Sequence, residues 1–384
     1  MAKSSVNRLD YNETRDSDTG CSITRLTPKE ITCHRNYFYQ KCFTTDSKKL
    51  IFSGEFDRNW NYYLLDIDHR LTTQLTDGPG DNTFGGFLSP DDHFFYYMRE
   101  ERSFIRLDMS TLAEEVIYTV PEGWLGYGTW VANSACTKVA GIEMFQRDSI
   151  PLSDWIKFGD QFKLKPLCRL IVVDIGKGKS RVLFEDRIWL GHPLYRPLND
   201  CIISFCHEGP HDLVDSRIWF IGEEGTNIRQ AYEQKSGEYV THEFWVGDGS
   251  RMIFVSYQKG KRDRMICSID PDTMKSREIM SMPPCSHIMS NFNGNLIVGD
   301  GSGTPKDVSN IESFGIENDP FIYLFDLNNK SYCRVAHHGS SWGVYKGSRQ
   351  VTHPHPSFSP DEQKVLFTSD REGKPAVYLA DLPH

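Results

Sequence analysis

The segment Gln350-Val351-Thr352-His353-Pro354-His355-Pro356 carries two imidazoles two residues apart, each followed by a proline. Side chains two apart in an extended segment point the same way, and the prolines stiffen the backbone that carries them. His353 and His355 can therefore share one ligand. A third imidazole, His287, and the amide oxygen of Gln350 would complete a donor set suited to a divalent first-row metal. His242 is a further imidazole, which could be a ligand or, neutral near pH 7, a base. Arg217 closes the segment His207–Ser216 and supplies a permanent positive charge, a fair anchor for an anion. His211, in that same segment, and Lys49, just past a turn, are further candidates for holding an anionic substrate. Taken singly, each of these residues reads more simply as an ordinary core, rim or solvated side chain. The pair His337-His338 and the glycine-rich run Gly299–Gly303 are weaker still: the first reads as a solvated turn, and no helix follows the second to make it a phosphate loop.

What joins the histidines is their place in a repeat. The stretch from His355 to Asp381 reads as a strand, the turn Ser359-Pro360-Asp361, a second strand, and a third strand ending in aspartate. Phe87 to Asp108 repeats it around Ser89-Pro90-Asp91, and equivalents of the third-strand aspartate stand at Asp66, Asp174, Asp270 and Asp326. Seven such units at a spacing of roughly 45 residues predict an all-β, seven-bladed β-propeller, four strands to a blade. Residues 1–384 are expected to form one domain, with 1–20 a loosely ordered extension. The last unit lacks its outer strand, and Ser22–Thr27 reads as that strand, placed at the other end of the chain. Its insertion would close the ring and remove two open edges.

Six residues before the turn Asp or Asn of the last three units stand His242, His287 and His355, counting from Asp248, Asn293 and Asp361. Equivalent positions of consecutive blades are neighbours around a propeller channel, so the repeat gathers what the sequence scatters. Long loops at 147–166, 207–216 and 300–320, and the connector 337–352, are expected on the face where the inner strands begin, where a rigid scaffold usually carries function.

Bulk properties narrow the classes. A formal charge of −9 argues against a general nucleic-acid footprint but leaves room for a local basic pocket. No run approaches the roughly 18 apolar residues of a membrane helix, and the first twenty residues are polar, unlike a secretory leader. The ten cysteines include no CxxC pair; free thiols in a reducing cytoplasm are expected.

The Arg217 loop, Thr241-His242-Glu243, Ser286-His287 and above all Gln350–Pro356 resemble the oligogalacturonate lyases, polysaccharide lyase family 22, over essentially the whole chain. The resemblance implies a seven-bladed propeller that acts inside pectin-degrading bacteria, usually with manganese. It implies that His287, Gln350, His353 and His355 bind the metal, that His242 is the Brønsted base, and that Arg217 neutralises charge. The expected substrates are short galacturonate oligomers, especially digalacturonates, cleaved by β-elimination. Two other readings stay open: a metal-dependent hydrolase or lactonase, which would usually use carboxylate ligands, and a non-catalytic recognition propeller. Neither aspartate nor glutamate stands at the shared histidine position, and the histidines converge.

Overall fold

The computed structural model describes residues 2–56, 59–78, 80, 84–150, 158–303, 318–343 and 351–383. Its strands form seven antiparallel sheets, the blades of the propeller. From the innermost strand outward, blade 1 is Cys33–Arg35, Lys49–Gly54, Asn61–Asp66 and Leu71–Gln74. Blades 2 to 6 begin with the inner strands Phe87–Leu88, Trp124–Ala132, Leu190–Tyr195, Glu238–Trp245 and Ile288–Ser290. Blade 7 runs Ser357–Phe358, Lys364–Ser369, Ala376–Asp381 and then Ser22–Arg25. The N-terminal strand does complete the last blade, with Ile23 opposite Ala380 and Arg25 opposite Tyr378.

Residues 1–20 depart from the expectation of a loose extension. Val6–Arg8 pairs with Leu71–Gln74 as a fifth strand of blade 1, and Asn12–Arg15 pairs with Ser22–Arg25 as a fifth strand of blade 7. Between blade 7's two added strands, the buried Asp16 carboxylate accepts the N–H groups of Asp18 and Thr19 and that of His337 at 2.6 Å. These strands are polar because they sit at sheet edges, where charge discourages further pairing.

Turn chemistry explains the repeating aspartates. Ser89 Oγ donates to Asp91 Oδ1 (2.6 Å) and accepts the Phe94 N–H (2.9 Å), while Asp92 takes a left-handed φ of +62°. Ser359, Asp361, Lys364 and Glu362 repeat the arrangement in blade 7. The third-strand aspartates close the next turn: Asp108 accepts from Ser110 and Thr111, and Asp326 from Asn328 and Asn329. These side chains compete for backbone donors in the way that favours turns over strands. The repeat's carboxylates are therefore structural, which leaves the chemistry to the histidines. The strands between are β-branched and aromatic, as in Phe321–Phe325, and bury both faces within the stacked sheets.

Close packing divides the chain into two compact units. One, Met1–Leu88 with Met282–His384, holds blades 1, 6 and 7; the other, Ser89–Ser281, holds blades 3, 4 and 5. All ten cysteines are free thiols. No helix among the described residues is long and apolar enough to cross a membrane.

Candidate metal centre and active site

In the first unit, His287 stands immediately before the inner strand of blade 6. Asp300, fully buried, accepts the Ser286 and His287 N–H groups (2.8 and 2.9 Å) through one oxygen and meets His287 Nδ1 at 2.6 Å with the other. That contact places the ring proton on Nδ1 and turns the Nε2 lone pair outward, the usual carboxylate support of a metal-bound histidine. His353 and His355 enter from the segment before blade 7, where Thr368 N–H donates to the Pro354 carbonyl at 2.9 Å. His355 adopts a left-handed φ of +49°. Its ring centroid lies 4.2 Å from that of His287, and the His353 and His287 centroids are 4.8 Å apart.

One nitrogen from each of the three rings falls within 4.8 Å of the others. Burial, then the neighbouring His287, pushes both the His353 and the His355 imidazoles well below the usual histidine range. They are neutral, as ligands must be. His355 is 2% exposed, and its Nε2 has no hydrogen-bond partner among the described residues. A buried polar atom left bare costs about 1–3 kcal/mol, and an ion at the centre of the trio would remove that cost. The donor set therefore fits a divalent metal. Gln350, the expected fourth donor, lies outside the described residues.

Aromatic walls surround the trio. Blade 1's inner strand is interrupted after Arg35, and the inserted Tyr37 and Phe38 bring their rings to 4.9 and 6.1 Å from His355. Trp342 packs 4.5 Å from His353. His34, fully buried, has no partner for either ring nitrogen among the described residues, and burial lowers its pKa to about 3. His338 is not the solvated turn residue expected. It is buried, accepts the Ser340 N–H at 2.9 Å and is lowered to about 3, with burial the main cause. Lys49 stands apart from this cluster: it lies at the turn end of blade 1, where Ser47 Oγ accepts the Asp361 N–H. His355 precedes the inner strand that leads to that same Asp361 turn, so the two residues mark opposite strand ends.

The second unit contains Arg217, His242 and His211. Arg217 is 4% exposed, with Nε donating to Glu243 Oε2 (2.8 Å) and Nη1 to Glu208 Oε1 (3.0 Å). Burial alone would raise the Glu208 carboxyl, but Arg217 and His192 hold it well below the usual carboxylate range. His242 is half-buried in a bulge between the pairs Thr241–Val255 and Phe244–Ile253, at φ +53°, with Nδ1 2.8 Å from Thr241 Oγ1. His211 Nδ1 meets the Tyr257 hydroxyl at 2.8 Å, and burial lowers the imidazole to about 4, helped by the charge of Arg217. His211 thus shares the Arg217 neighbourhood.

Sequence reasoning missed His192, Glu208 and Glu243. Phe244 pairs with Ile253 in blade 5 as Leu194 pairs with Ser204 in blade 4, which puts His192 at the position of His242. The turn from Tyr195 to Ile203 is one residue longer than that from Trp245 to Met252. Counting back from Asn199 therefore lands on Pro193. Counting from the strand, or allowing the turn to vary by one residue, would have found it.

With this geometry in view, comparison with known proteins decides the lineage. The family model for oligogalacturonate lyase matches residues 1–384. The chain belongs to the oligogalacturonate lyase family. It is 54% identical over 383 residues to the oligogalacturonate lyase of Dickeya dadantii strain 3937, covering 100% of this chain and 99% of the relative. It is 55% identical to the oligogalacturonide lyase of Pectobacterium atrosepticum, with the same coverage. A solved oligogalacturonate lyase in complex with manganese superimposes with a TM-score of 0.94 at 55% identity, covering 100% of this chain and 99% of the other. Its oligogalacturonate lyase family members are lyases, and the seven-bladed propeller is the fold of this lineage.

Proposed function

We propose that this chain, acting as one domain in the cytoplasm, cleaves short galacturonate oligomers by metal-assisted β-elimination. Digalacturonates are the preferred substrates; the unit that loses its C5 proton becomes a 4-deoxy-5-keto-uronate monosaccharide after ring opening, and the unit that leaves with O4 is freed as a uronate. The observation that carries the reading is the His287–His353–His355 cluster, three imidazoles drawn together, with the buried Nε2 of His355 lacking a partner among the described residues. Family membership supports the substrate class, and the manganese complex of a 55%-identical relative supports manganese as the ion. Gln350 is proposed as a fourth ligand.

The C5 proton of a uronate is weakly acidic, because removing it places more charge beside an anionic carboxylate. Manganese, when bound, would supply Lewis-acid neutralisation of that charge. Arg217, held rigidly by Glu208 and Glu243, contributes a second positive charge that needs no reorganisation during the reaction. His242 takes the C5 proton. The Thr241 hydroxyl beside Nδ1 orients the ring, and with Nδ1–H donating to it Nε2 is the basic atom. His211 is assigned to substrate binding beside Arg217. Lys49, at the opposite strand end from His355, is left with a solvated role.

Digalacturonate incubated with the purified protein should give galacturonate and an unsaturated uronate, which absorbs in the ultraviolet until its ring opens to the 5-keto form. A chelator should stop its formation, and added manganese should restore it. Cleavage without an unsaturated product, or at full rate in chelator, would overturn the reading.

A further inference from the structure

Elimination leaves one proton unassigned, the one the departing O4 must receive. We propose that His192, oriented by Glu208, donates it. The assignment rests on the lyase reading above and names a further catalytic residue of the same site.

Position is the first argument. His192 and His242 occupy the same point of neighbouring inner strands, each in a bulge: pairing skips from Gly191 to Leu194 in blade 4 and from Thr241 to Phe244 in blade 5. Both adopt left-handed backbone, at φ +48° and +53°. Residues other than glycine seldom take this conformation, and strained backbone of this kind collects where a side chain must be aimed. The fold thus aims two imidazoles from equivalent sites.

The second argument is the chain of polar contacts between them. His192 Nε2 lies 3.1 Å from Glu208 Oε2. Glu208 Oε1 accepts from Arg217 Nη1 at 3.0 Å, and Arg217 Nε donates to Glu243 Oε2 at 2.8 Å. Glu243 directly follows His242. The proposed donor, the charge anchor and the residue beside the proposed base are therefore fixed by one network. Glycine at 191 makes room for it, since a Cβ there would stand 2.9 Å from Glu208 Oε2. His192, Cys206 and Glu208 are also spaced like metal ligands. Burial holds the Cys206 thiol in its protonated form, a poor ligand, which favours a proton-transfer role for His192.

The step balances as follows. His242 Nε2 accepts the C5 proton, the C5–H pair becomes the C4=C5 bond, and the C4–O4 bond breaks. The imidazolium of His192 passes its Nδ1 proton to O4, giving a free hydroxyl, and keeps Nε2–H on Glu208. Solvent then returns each histidine to its starting state.

A general acid matters most when the leaving group is poor. His192→Asn is the informative variant, because asparagine tolerates left-handed φ better than most residues. On digalacturonate its turnover should fall about 10²–10⁴-fold, with metal content unchanged. On a galacturonate carrying 4-nitrophenol at O4, which leaves without protonation, the loss should shrink below about tenfold. Both rates come from one preparation, so reduced stability cancels in their ratio. Equal losses on the two substrates, or no loss on digalacturonate, would overturn the role of His192. A wild-type protein that forms no unsaturated product from digalacturonate would instead remove the lyase reading and this assignment with it.

Discussion

The inner-strand position that carries His287 and His355 in one compact unit carries His192 and His242 in the other, yet the two settings differ in kind. Around His287 and His355 the neighbours are imidazoles and the rings of Tyr37, Phe38 and Trp342. The Asp300 carboxylate grips a single ring nitrogen of the trio. His192 instead meets Glu208, one of three charged groups bonded to one another, Glu208, Arg217 and Glu243, while His242 precedes Glu243 in the chain and contacts the Thr241 hydroxyl. One backbone position thus serves two chemistries. A setting rich in rings leaves lone pairs facing one another, whereas a charge-saturated setting holds a fixed guanidinium beside a histidine.

This contrast can be broken most sharply by alanine at equivalent positions. His287→Ala should lose bound metal and activity together. His242→Ala should keep the metal and the substrate but lose about 10²–10⁴-fold in turnover. Metal analysis and single-turnover rates on both variants check the pair. If His242→Ala also lost the ion, or kept most of its rate, the division of labour would be wrong.

Arg217→Ala tests the charge-saturated side. It leaves Glu208 and Glu243 buried without their cation, and breaking such a pair costs about 3–5 kcal/mol. The variant should unfold at lower denaturant and should lose affinity and turnover together, because the guanidinium opposes the substrate carboxylate in ground and transition states alike. Unchanged denaturant midpoints would show that Glu208 and Glu243 are satisfied without it.

The smallest effect concerns acid. His34 and His338 are held near pKa about 3 by burial, and His353 and His355 are also depressed. Unfolded histidine titrates near 6.5, so between about pH 3 and 6.5 the unfolded chain binds more protons than the folded one. Stability of the metal-free protein should therefore rise with pH across that window and fall on acidification, by up to about 1.4 kcal/mol per group per pH unit. Melting temperatures of chelated protein at pH 7 and pH 5.5 should differ by several degrees, and a flat profile would contradict the burial of these rings.

How far the sequence disclosed all this depended on the physics behind each signal. Turn residues such as Ser359 and Asp361 act locally, so they marked the blades and put His242, His287 and His355 in phase. The strand Ser22–Arg25 was legible because the last unit visibly lacked a partner. Val6–Arg8 and Asn12–Arg15 were not, since edge strands need no apolar alternation. His192 was hidden by a turn one residue longer. Glu208 and Glu243 gave no signal, because their meaning lies in a guanidinium reached across two sheets. Tyr37 and Phe38 reach the histidines only through an insertion in the inner strand of blade 1, whose path the repeat does not specify.

Blade 7 joins Ser22–Arg25 to Ala376–Asp381, so a ribosome must pass residue 381 before that sheet can form. Pairings this distant along the chain form slowly, because loop closure must precede any gain from contact. The segment bearing His353 and His355 is anchored to this last-made sheet through Thr368. A nascent or truncated chain ending before residue 364 would own every upstream blade and still be unable to assemble the imidazole trio. Assembly of the trio is thereby tied to translation past the last strand of blade 7, and a chain cut upstream of that strand would lose the trio while retaining the strands already made.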